Sequence, residues 1–400
     1  MSKRLVVCCD GTWNFPDQQS PTNVTKVALA VAPKDHTGGE QRVFYHRGVG
    51  TGRWERLRGG ASGLGVSRDV RDTYRFIVQN YEPGDELFFF GFSRGAFTAR
   101  STAGFVRNAG ILRPDYVDRV DEAYALYRSR TDTKTPRGRE ATLFRRSYSY
   151  ETRIRFIGVW DTVGALGIPV DGFNLATLFN RRFMFHNTDL STSVDSAYHA
   201  LAIDEQRRPF KPTLWNQQND APKSQVVQQV WFPGVHSDLG GGYTDHALSD
   251  VALLWMVDRA RSCGLEFRAE AFPAEAPIPD SQHREDVLRE CTWVDPNPLG
   301  KLHESRKGLY RLQPPLHREL EFTVEIKESG EIRQTREYIS PAAVERRHAA
   351  SQYAPTHFIT YLDKGEPLPP QNEENTTSKL VIQPPTDGPA VPTRSAGQVH

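Results

Sequence analysis

Residues 86–100 read Glu-Leu-Phe-Phe-Phe-Gly-Phe-Ser-Arg-Gly-Ala-Phe-Thr-Ala-Arg, and this stretch indicates how the chain folds. The apolar run 87–90 has the length of a buried strand and is too short for a membrane-spanning helix. It leads into Gly-Phe-Ser-Arg-Gly at 91–95, and a helix-compatible segment follows. A Gly-x-Ser-x-Gly turn between a strand and a helix is typical of a nucleophilic serine, so Ser93 is the predicted nucleophile.

The spacing of this motif has a chemical reason. A serine that attacks an ester must project from a sharp turn, and glycines two residues to each side keep the neighbouring strand and helix from clashing. The following helix directs its N-terminal N–H groups and its positive dipole end toward a developing oxyanion. The N–H of Arg94 is therefore a predicted oxyanion donor. An ordinary glycine-rich turn from strand to helix is the alternative.

The composition argues against several kinds of binding partner and of cysteine site. A chain of 400 residues with a net charge of +1 gives no electrostatic reason to expect a nucleic acid partner or binding to an acidic membrane surface. No two of the four cysteines form a Cys-x-x-Cys pair, so we expect buried free thiols rather than a zinc site or a disulfide framework.

The N-terminus gives an expectation about location. Only the five apolar residues 5–9 separate Arg4 from Asp10, too few for the core of a signal peptide. No apolar run approaches membrane-spanning length. We expect a protein that is cytoplasmic, or exported by a route without a cleavable signal peptide. Peripheral contact with a membrane stays open.

Apolar runs separated by helical patterns predict an α/β fold with a mostly parallel central sheet flanked by helices. Besides residues 87–90, strands are expected at Arg4–Cys9, Gln41–Tyr45, Arg153–Trp160, Gln225–Phe232 and Leu320–Ile326. A helix before the serine motif is expected to bury one apolar face, made of Val66, Val70, Tyr74, Ile77 and Tyr81.

We expect one catalytic domain over residues 1–345, with helical or irregular insertions at 113–150, 165–196 and 268–345. The insertion 165–196 is rich in apolar residues and is expected to form a lid or pocket wall, or simply more core. Residues 365–400 contain no aromatic residue and abound in Pro, Thr, Glu and Asn, which predicts a disordered tail.

Two further strand ends carry polar side chains that fit the serine. Asp161 directly follows one predicted strand, and His236 lies in a glycine-rich loop after another. The carboxyl ends of parallel strands meet at one edge of a sheet. His236 is the predicted base, and Asp161 is predicted to hold its tautomer. The order Ser-Asp-His is that of α/β-hydrolases, whereas chymotrypsin-like and subtilisin-like enzymes have other orders.

Other residues compete for these roles. Asp10 or Asp238 could supply the acid in place of Asp161, although an aspartate such as Asp10 also caps turns. His303 could supply the base, because it lies late in the chain. A second oxyanion donor could be the N–H of Gly11 or of Thr12, which follow the first strand.

Five ordered blocks, at residues 6–14, 91–96, 159–164, 199–205 and 232–238, resemble the hallmark blocks of the DUF2235 family. That family is of α/β-hydrolase type and includes the Tle1-like phospholipase effectors of bacterial type VI secretion. The resemblance implies a serine ester hydrolase that acts on lipid or phospholipid acyl esters. Such chemistry needs neither a metal nor another cofactor, and its partner is a small-molecule or lipid ester.

Two alternatives from other classes remain. Asp10, Asp161 and Asp238 could bind a metal ion and hydrolyse phosphodiesters, since hard cations prefer carboxylate oxygens. The chain could also be a non-catalytic binding protein on the same fold. Sensitivity to a chelator would separate metal chemistry from serine chemistry.

Overall fold

The computed structural model describes most of the chain between residues 2 and 364. The described ranges are 2–11, 20–48, 63–129, 131–163, 189–274, 284–320, 323–326 and 331–364. All of these residues belong to one compact unit that runs from Met1 to Pro369. The predicted tail 365–400 and residues 165–188 of the expected lid or pocket wall lie outside the described residues.

A sheet of seven strands organises the described part of the chain, and every neighbouring pair of its strands is parallel. Its strands are β1 (Arg4–Cys9), β2 (Gln41–His46), β3 (Glu86–Phe92), β4 (Ile154–Trp160), β5 (Val194–Ala202), β6 (Val226–Phe232) and β7 (Glu337–Ile339). This result confirms the predicted α/β class with its parallel sheet.

The spatial order of the strands is β7-β6-β5-β4-β3-β1-β2. The chain moves outward from β1 to β2, returns to the other side of β1 with β3, and continues from there to β7. The order therefore reverses between β1 and β3. In open α/β sheets, the crevice at the carboxyl ends of strands at such a reversal is the usual ligand site.

Side chains alternate between the two faces of the sheet, so each apolar strand feeds two cores. On β3, Leu87 and Phe89 join the core on one face, while Phe88 and Phe90 join the core on the other. The adjacent Cys8 and Cys9 of β1 likewise point to opposite faces, and both are buried free thiols.

Helices cover both faces of the sheet. They are α1 (Asn23–Ala30), α2 (Gly63–Asn80), α3 (Arg94–Ala109), α4 (Val120–Arg128), α5 (Arg139–Tyr148), α6 (His236–Gly240), α7 (Ala247–Ser262), α8 (Arg284–Thr292), α9 (Pro341–Ala349) and α10 (Thr356–Asp363). The five apolar residues predicted to form one face of this helix are all buried in a single core, which confirms the helix, although Tyr81 directly follows its last residue.

The predicted strand at 320–326 is only partly right. The observed strand is Thr323–Ile326, and it pairs antiparallel with Glu331–Gln334 in a separate two-stranded sheet. The central sheet instead ends with β7, a three-residue strand that pairs with β6. Beyond it, Phe358 and Tyr361 of α10 are buried in the same core as Trp231, so packing continues past residue 345.

Candidate active site

Ser93 lies at the turn between β3 and α3, at the reversal of strand order. Its φ of 57° and ψ of −120° are conformations that non-glycine residues rarely adopt. Holding a residue there costs on the order of 1–3 kcal/mol, and such strain is typical of functional sites. The side chain is buried, with 8% of the residue's surface exposed.

The two glycines of the motif permit the close approach of neighbouring backbone. A Cβ on Gly95 would lie 2.1 Å from the carbonyl oxygen of Cys9 and 2.3 Å from that of Asp10. A Cβ on Gly91 would lie 2.6 Å from the Cα of Ala96. Real Cβ atoms do not approach other atoms so closely. The turn can therefore pack helix α3 against β1 and β3 only because both positions are glycine.

His236 begins α6, a few residues after β6 ends, and contacts the serine directly. Its Nε2 lies 2.8 Å from the Ser93 Oγ. The imidazole is held between two aromatic rings, with Phe92 centred 4.6 Å away and Phe210 centred 4.8 Å away. These rings make the surroundings of the imidazole apolar and fix its plane.

Asp161 directly follows β4 and contacts the other ring nitrogen of His236. Its Oδ2 lies 2.5 Å from the Nδ1 of His236. Asp161 has a φ of +40°, a second unusual backbone conformation at this edge of the sheet. Burial alone would raise the pKa of its carboxyl, but the charge of Arg318 and the hydrogen bonds from His236 and Arg318 hold that pKa well below its usual range.

Arg318 is a residue of the site that the sequence did not reveal. Its guanidinium is fully buried and donates to both oxygens of Asp161, at 2.6 Å and 3.0 Å. It also donates to the carbonyl oxygens of Ala202 and Phe210. Arg318 lies 157 positions after Asp161 and belongs to no recognisable motif. Only the folded chain brings the two together.

Glu205 is a second buried charge beside the imidazole. Its Oε2 accepts the backbone N–H of His236 at 3.2 Å, and its carboxylate binds the guanidinium of Arg207 through both oxygens. Burial would raise the pKa of Glu205, but the hydrogen bond and charge of Arg207 lower it instead. The group is therefore an anion next to the base.

The Asp10 carboxylate binds a different set of donors from Asp161. Its carboxylate accepts hydrogen bonds from the Thr22, Thr25 and Tyr45 hydroxyls at 2.7–3.0 Å. The N–H of Gly11 also donates to it, at 2.6 Å. Asp10 thus organises the segment that follows β1, and the Gly11 N–H serves this carboxylate. Thr12 lies outside the described residues.

Asp238 and His303, the other competing acid and base, contact each other. The Nδ1 of His303 lies 2.6 Å from the Oδ1 of Asp238, and the ring stacks on Tyr243 with 4.1 Å between centroids. Asp238 also accepts the N–H of Val235 at 3.0 Å. This pair supports the loop that carries His236, and the contacts to Ser93 and Asp161 are those of His236.

Arg94 is the first residue of α3, so its N–H belongs to the N-terminal turn of that helix. Its role as an oxyanion donor stays a prediction. Its side chain is largely buried, and burial lowers the pKa of its guanidinium to about 10.

The three aspartates of the metal alternative do not converge. Asp10, Asp161 and Asp238 each bind a different set of donors. Across the residues that the structure describes, no group of three or more His, Cys, Asp or Glu side chains is arranged to hold a metal ion.

A parallel sheet with a strained serine at the β3–α3 turn, an aspartate after β4 and a histidine after β6 defines an α/β-hydrolase-like protein. The family model for "T6SS, Phospholipase effector Tle1-like, catalytic domain" matches residues 3–259. The chain belongs to this family, which confirms the resemblance of its sequence blocks.

Individual relatives are distant. The uncharacterized protein YEL023C of Saccharomyces cerevisiae is 27% identical over 243 residues, which are 55% of this chain and 34% of the yeast protein. The chain thus spans about a third of that relative. Within its described part, no helix is both long and apolar enough to cross a membrane.

The chain is also similar, at low identity, to solved structures. An uncharacterized protein from Pseudomonas aeruginosa is 16% identical, with a TM-score of 0.43, over 74% of this chain and 49% of that one. The Tle1 effector bound to the VgrG spike of the type 6 secretion system is 19% identical, with a TM-score of 0.34, over 61% of this chain and 52% of that one.

Proposed function

We propose that this chain is a serine ester hydrolase in which Ser93 is the nucleophile, His236 the base and Asp161 the acid that orients it. One observation carries the proposal. The strained Ser93 presents its Oγ 2.8 Å from His236 Nε2, while His236 Nδ1 lies 2.5 Å from the Asp161 carboxylate. Hydrogen bonds of this length link nucleophile, base and orienting acid in serine hydrolases.

The proton moves along this series in two steps. As Ser93 Oγ attacks the acyl carbon, its proton passes to His236 Nε2 and the carbonyl oxygen becomes an oxyanion. Collapse of the tetrahedral intermediate expels the alcohol, which takes the proton from Nε2 and leaves an acyl ester on Ser93. Water then attacks the acyl carbon by the same route, and its proton returns through His236 to Ser93 as the acid leaves.

The oxyanion needs donors that are already in place. The N–H of Arg94 and the positive end of the α3 dipole lie beside Ser93 and suit this role. The Gly11 N–H already donates to the Asp10 carboxylate at 2.6 Å, so of the two candidates for a second donor we propose the N–H of Thr12.

Buried charges around His236 suit the transient imidazolium. In the resting site, Arg318 balances Asp161. When His236 gains a proton, Glu205, whose carboxylate accepts the His236 N–H, provides a nearby negative charge. Fixed charges of this kind stabilise a transition state without rearranging during the reaction.

The proposed substrates are lipid or phospholipid acyl esters. Membership of a family named for phospholipase effectors supports this class. The rings of Phe92 and Phe210 beside His236 also give the site apolar surface. The type of acyl chain and the leaving group are questions for a substrate panel.

Labelling with a fluorophosphonate probe tests the mechanism. We expect the probe to modify Ser93 in the wild-type chain, and Ser93→Ala to abolish labelling and lower ester hydrolysis by at least about a thousandfold. His236→Ala should slow labelling strongly. Ser101→Ala, on the same helix as the proposed oxyanion donor, is the matched control and should label normally.

A panel of phospholipids, neutral acyl esters and a phosphodiester then defines the substrate. Hydrolysis of acyl esters that EDTA does not affect is expected. Absence of labelling on a folded chain, with EDTA-sensitive phosphodiester cleavage instead, would replace serine chemistry with metal chemistry. Absence of both activities would leave a binding protein and refute the proposal.

A further inference from the structure

A cavity of about 370 Å³ lies on one side of α3, away from Ser93. It is lined by helix positions 100, 103, 104, 107 and 108. These positions form one face of α3, because residues three and four apart lie on the same side of a helix. Arg107 is fourteen positions after Ser93, so the helical rise places it roughly 20 Å from the serine. The volume falls within the usual range for small-molecule sites, and the site is separate from the serine.

One wall of this cavity is apolar. It is formed by Ala103, Tyr127, Ile157, Leu190, Val194 and Trp215. Trp215 is held in place by Arg100, whose guanidinium lies 4.5 Å from the centre of the indole ring. Arg100 also donates to the Thr213 and Leu214 carbonyl oxygens, and it is 94% buried, so this wall is rigid.

The opposite side carries excess positive charge. Arg107 is half-buried and has no hydrogen-bond or ion-pair partner among the described residues. Burial lowers the pKa of its guanidinium and the charges of Arg145 and Arg137 lower it further, while the charges of Glu151 and Asp220 act in the opposite direction without reversing the shift. Those two arginines already pair with Glu151 and Asp220. Arg107 is therefore a cation of the cavity lining that no described carboxylate contacts directly.

A buried acceptor adds a second polar feature. Asn108 is buried, and its Nδ2 donates to the Lys134 carbonyl oxygen at 2.9 Å. Its Oδ1 accepts no hydrogen bond from any described group. Among the described residues that line the cavity, Asp189 is acidic, and it is exposed to solvent. A buried acceptor without a donor is costly unless a ligand or a water satisfies it.

We propose that this cavity binds an organic anion, a carboxylate or phosphate ester joined to a short apolar chain. The anionic group pairs with Arg107, because guanidinium binds carboxylate and phosphate through paired hydrogen bonds. The apolar chain lies against Tyr127 and Trp215. Asn108 adds a polar residue to the lining. This binding does not depend on the chemistry of Ser93.

Calorimetric titration of the full chain tests this site with four probes: octanoate, octyl phosphate, octanol and inorganic phosphate. We expect octanoate or octyl phosphate to bind at least about tenfold more tightly than octanol and inorganic phosphate, since only they combine the two features. The tighter of the two anions identifies the headgroup as carboxylate or phosphate.

Three variants locate the binding. Arg107→Gln should weaken binding of the anion about tenfold or more, and Arg107→Lys should weaken it less, because it keeps the charge but loses the paired hydrogen bonds. Arg139→Gln removes an exposed arginine at the start of α5, outside the cavity, and should change nothing. Because Arg107 makes no hydrogen bond in the described structure, its loss should leave the melting temperature unchanged.

Equal affinity for octanol and octanoate would overturn the proposal, as would equal weakening by Arg107→Gln and Arg139→Gln. Failure of the wild-type chain to bind either anion would also overturn it. Labelling of Ser93 by the fluorophosphonate is independent of these titrations, so the two proposals fail separately.

Discussion

At the scale of single residues, the Asp161–Arg318 pair determines the charge state of the proposed orienting acid. Two charges that are removed from water stabilise each other only when their geometry is good, and this pair has two short hydrogen bonds. Without the guanidinium, a buried carboxyl is pushed toward its neutral form. A neutral Asp161 could not stabilise the imidazolium.

Arg318→Met should therefore change the pH dependence of hydrolysis. Burial of Asp161 persists in this variant while the cation that lowers its pKa is lost, so the carboxyl takes up a proton at a higher pH. We expect the acid limb of kcat/KM to move to higher pH. Misplacement of the imidazole should also cost about a hundredfold at neutral pH. The measurement is a pH–rate profile with an acyl ester.

Arg318→Lys is the control, because it keeps the charge and loses the paired geometry. Its acid limb should stay near that of the wild type. An unshifted limb in folded Arg318→Met would contradict the role given to the guanidinium. Circular dichroism is needed beside the kinetics, since breaking a buried pair costs about 3–5 kcal/mol.

At the scale of elements, the turn from β3 to α3 depends on local sequence and was predictable from it. The apolar run, the two glycines and the helix-compatible segment are adjacent, so residues 86–100 contain the information for strand, turn and helix. Strand β1 was predicted to the residue for the same reason, as it is a continuous apolar run. Strand β7 has only three residues and takes its place by pairing with β6.

Two glycines of the same helix should respond oppositely to alanine. At Gly95 a Cβ would meet the backbone of Cys9 and Asp10 within 2.3 Å, so Gly95→Ala must separate α3 from β1. At Gly104 the nearest contact is 3.4 Å, to the Tyr127 ring. We expect Gly95→Ala to lower the free energy of unfolding by about 3 kcal/mol or more, as backbone strain of this kind does.

Gly104→Ala should be neutral, or stabilise by up to about 1 kcal/mol, because alanine favours helix. Urea denaturation of both variants provides the comparison. Similar losses of stability in the two would mean that the turn is not as tightly packed as described.

At the scale of the whole molecule, a buried imidazole links stability to pH. His199 on β5 is fully buried, and its Nε2 accepts the N–H of Thr162 at 3.0 Å. Burial, and then the charge of Arg100, lower its pKa to about 3. Between the unfolded value of 6.5 and about 3, the unfolded chain binds a proton that the folded chain does not. Stability is therefore lost as the pH falls through this window.

His199→Gln should reduce this acid sensitivity. Between pH 6.5 and 4.5 the wild type should lose about 2–3 kcal/mol more than the variant, as measured by urea unfolding at each pH. His348→Gln, at an exposed position on α9, should follow the wild type. Burial raises the pKa of Asp204 to about 6, so this group makes the folded chain more stable as the pH falls. The contribution is the same in all three chains and cancels from the comparison. Equal losses in wild type and His199→Gln would refute the prediction.

The sequence predicted the parallel sheet and the strand ends that bring Ser93, Asp161 and His236 together, because these depend on apolar runs and on parallel topology. It did not predict Arg318 or Glu205 in the site. Their contacts with Asp161 and His236 join segments far apart in the chain. No local pattern marks Arg318, and Glu205 ends the block 199–205, which does not by itself show where its charge lies. The competition between His236 and His303 was likewise open in the sequence, since it depends on which loop reaches the serine.

The position of Arg318 has a consequence for the order in which the protein is made. Ribosomes deliver Ser93, Asp161 and His236 first, and residues 3–259 already span the family match. The guanidinium that balances Asp161 emerges only some eighty residues after His236. A nascent chain therefore carries Ser93, Asp161 and His236 before the charge of Asp161 is compensated, and the Asp161–Arg318 pair can form only after those further residues have been added.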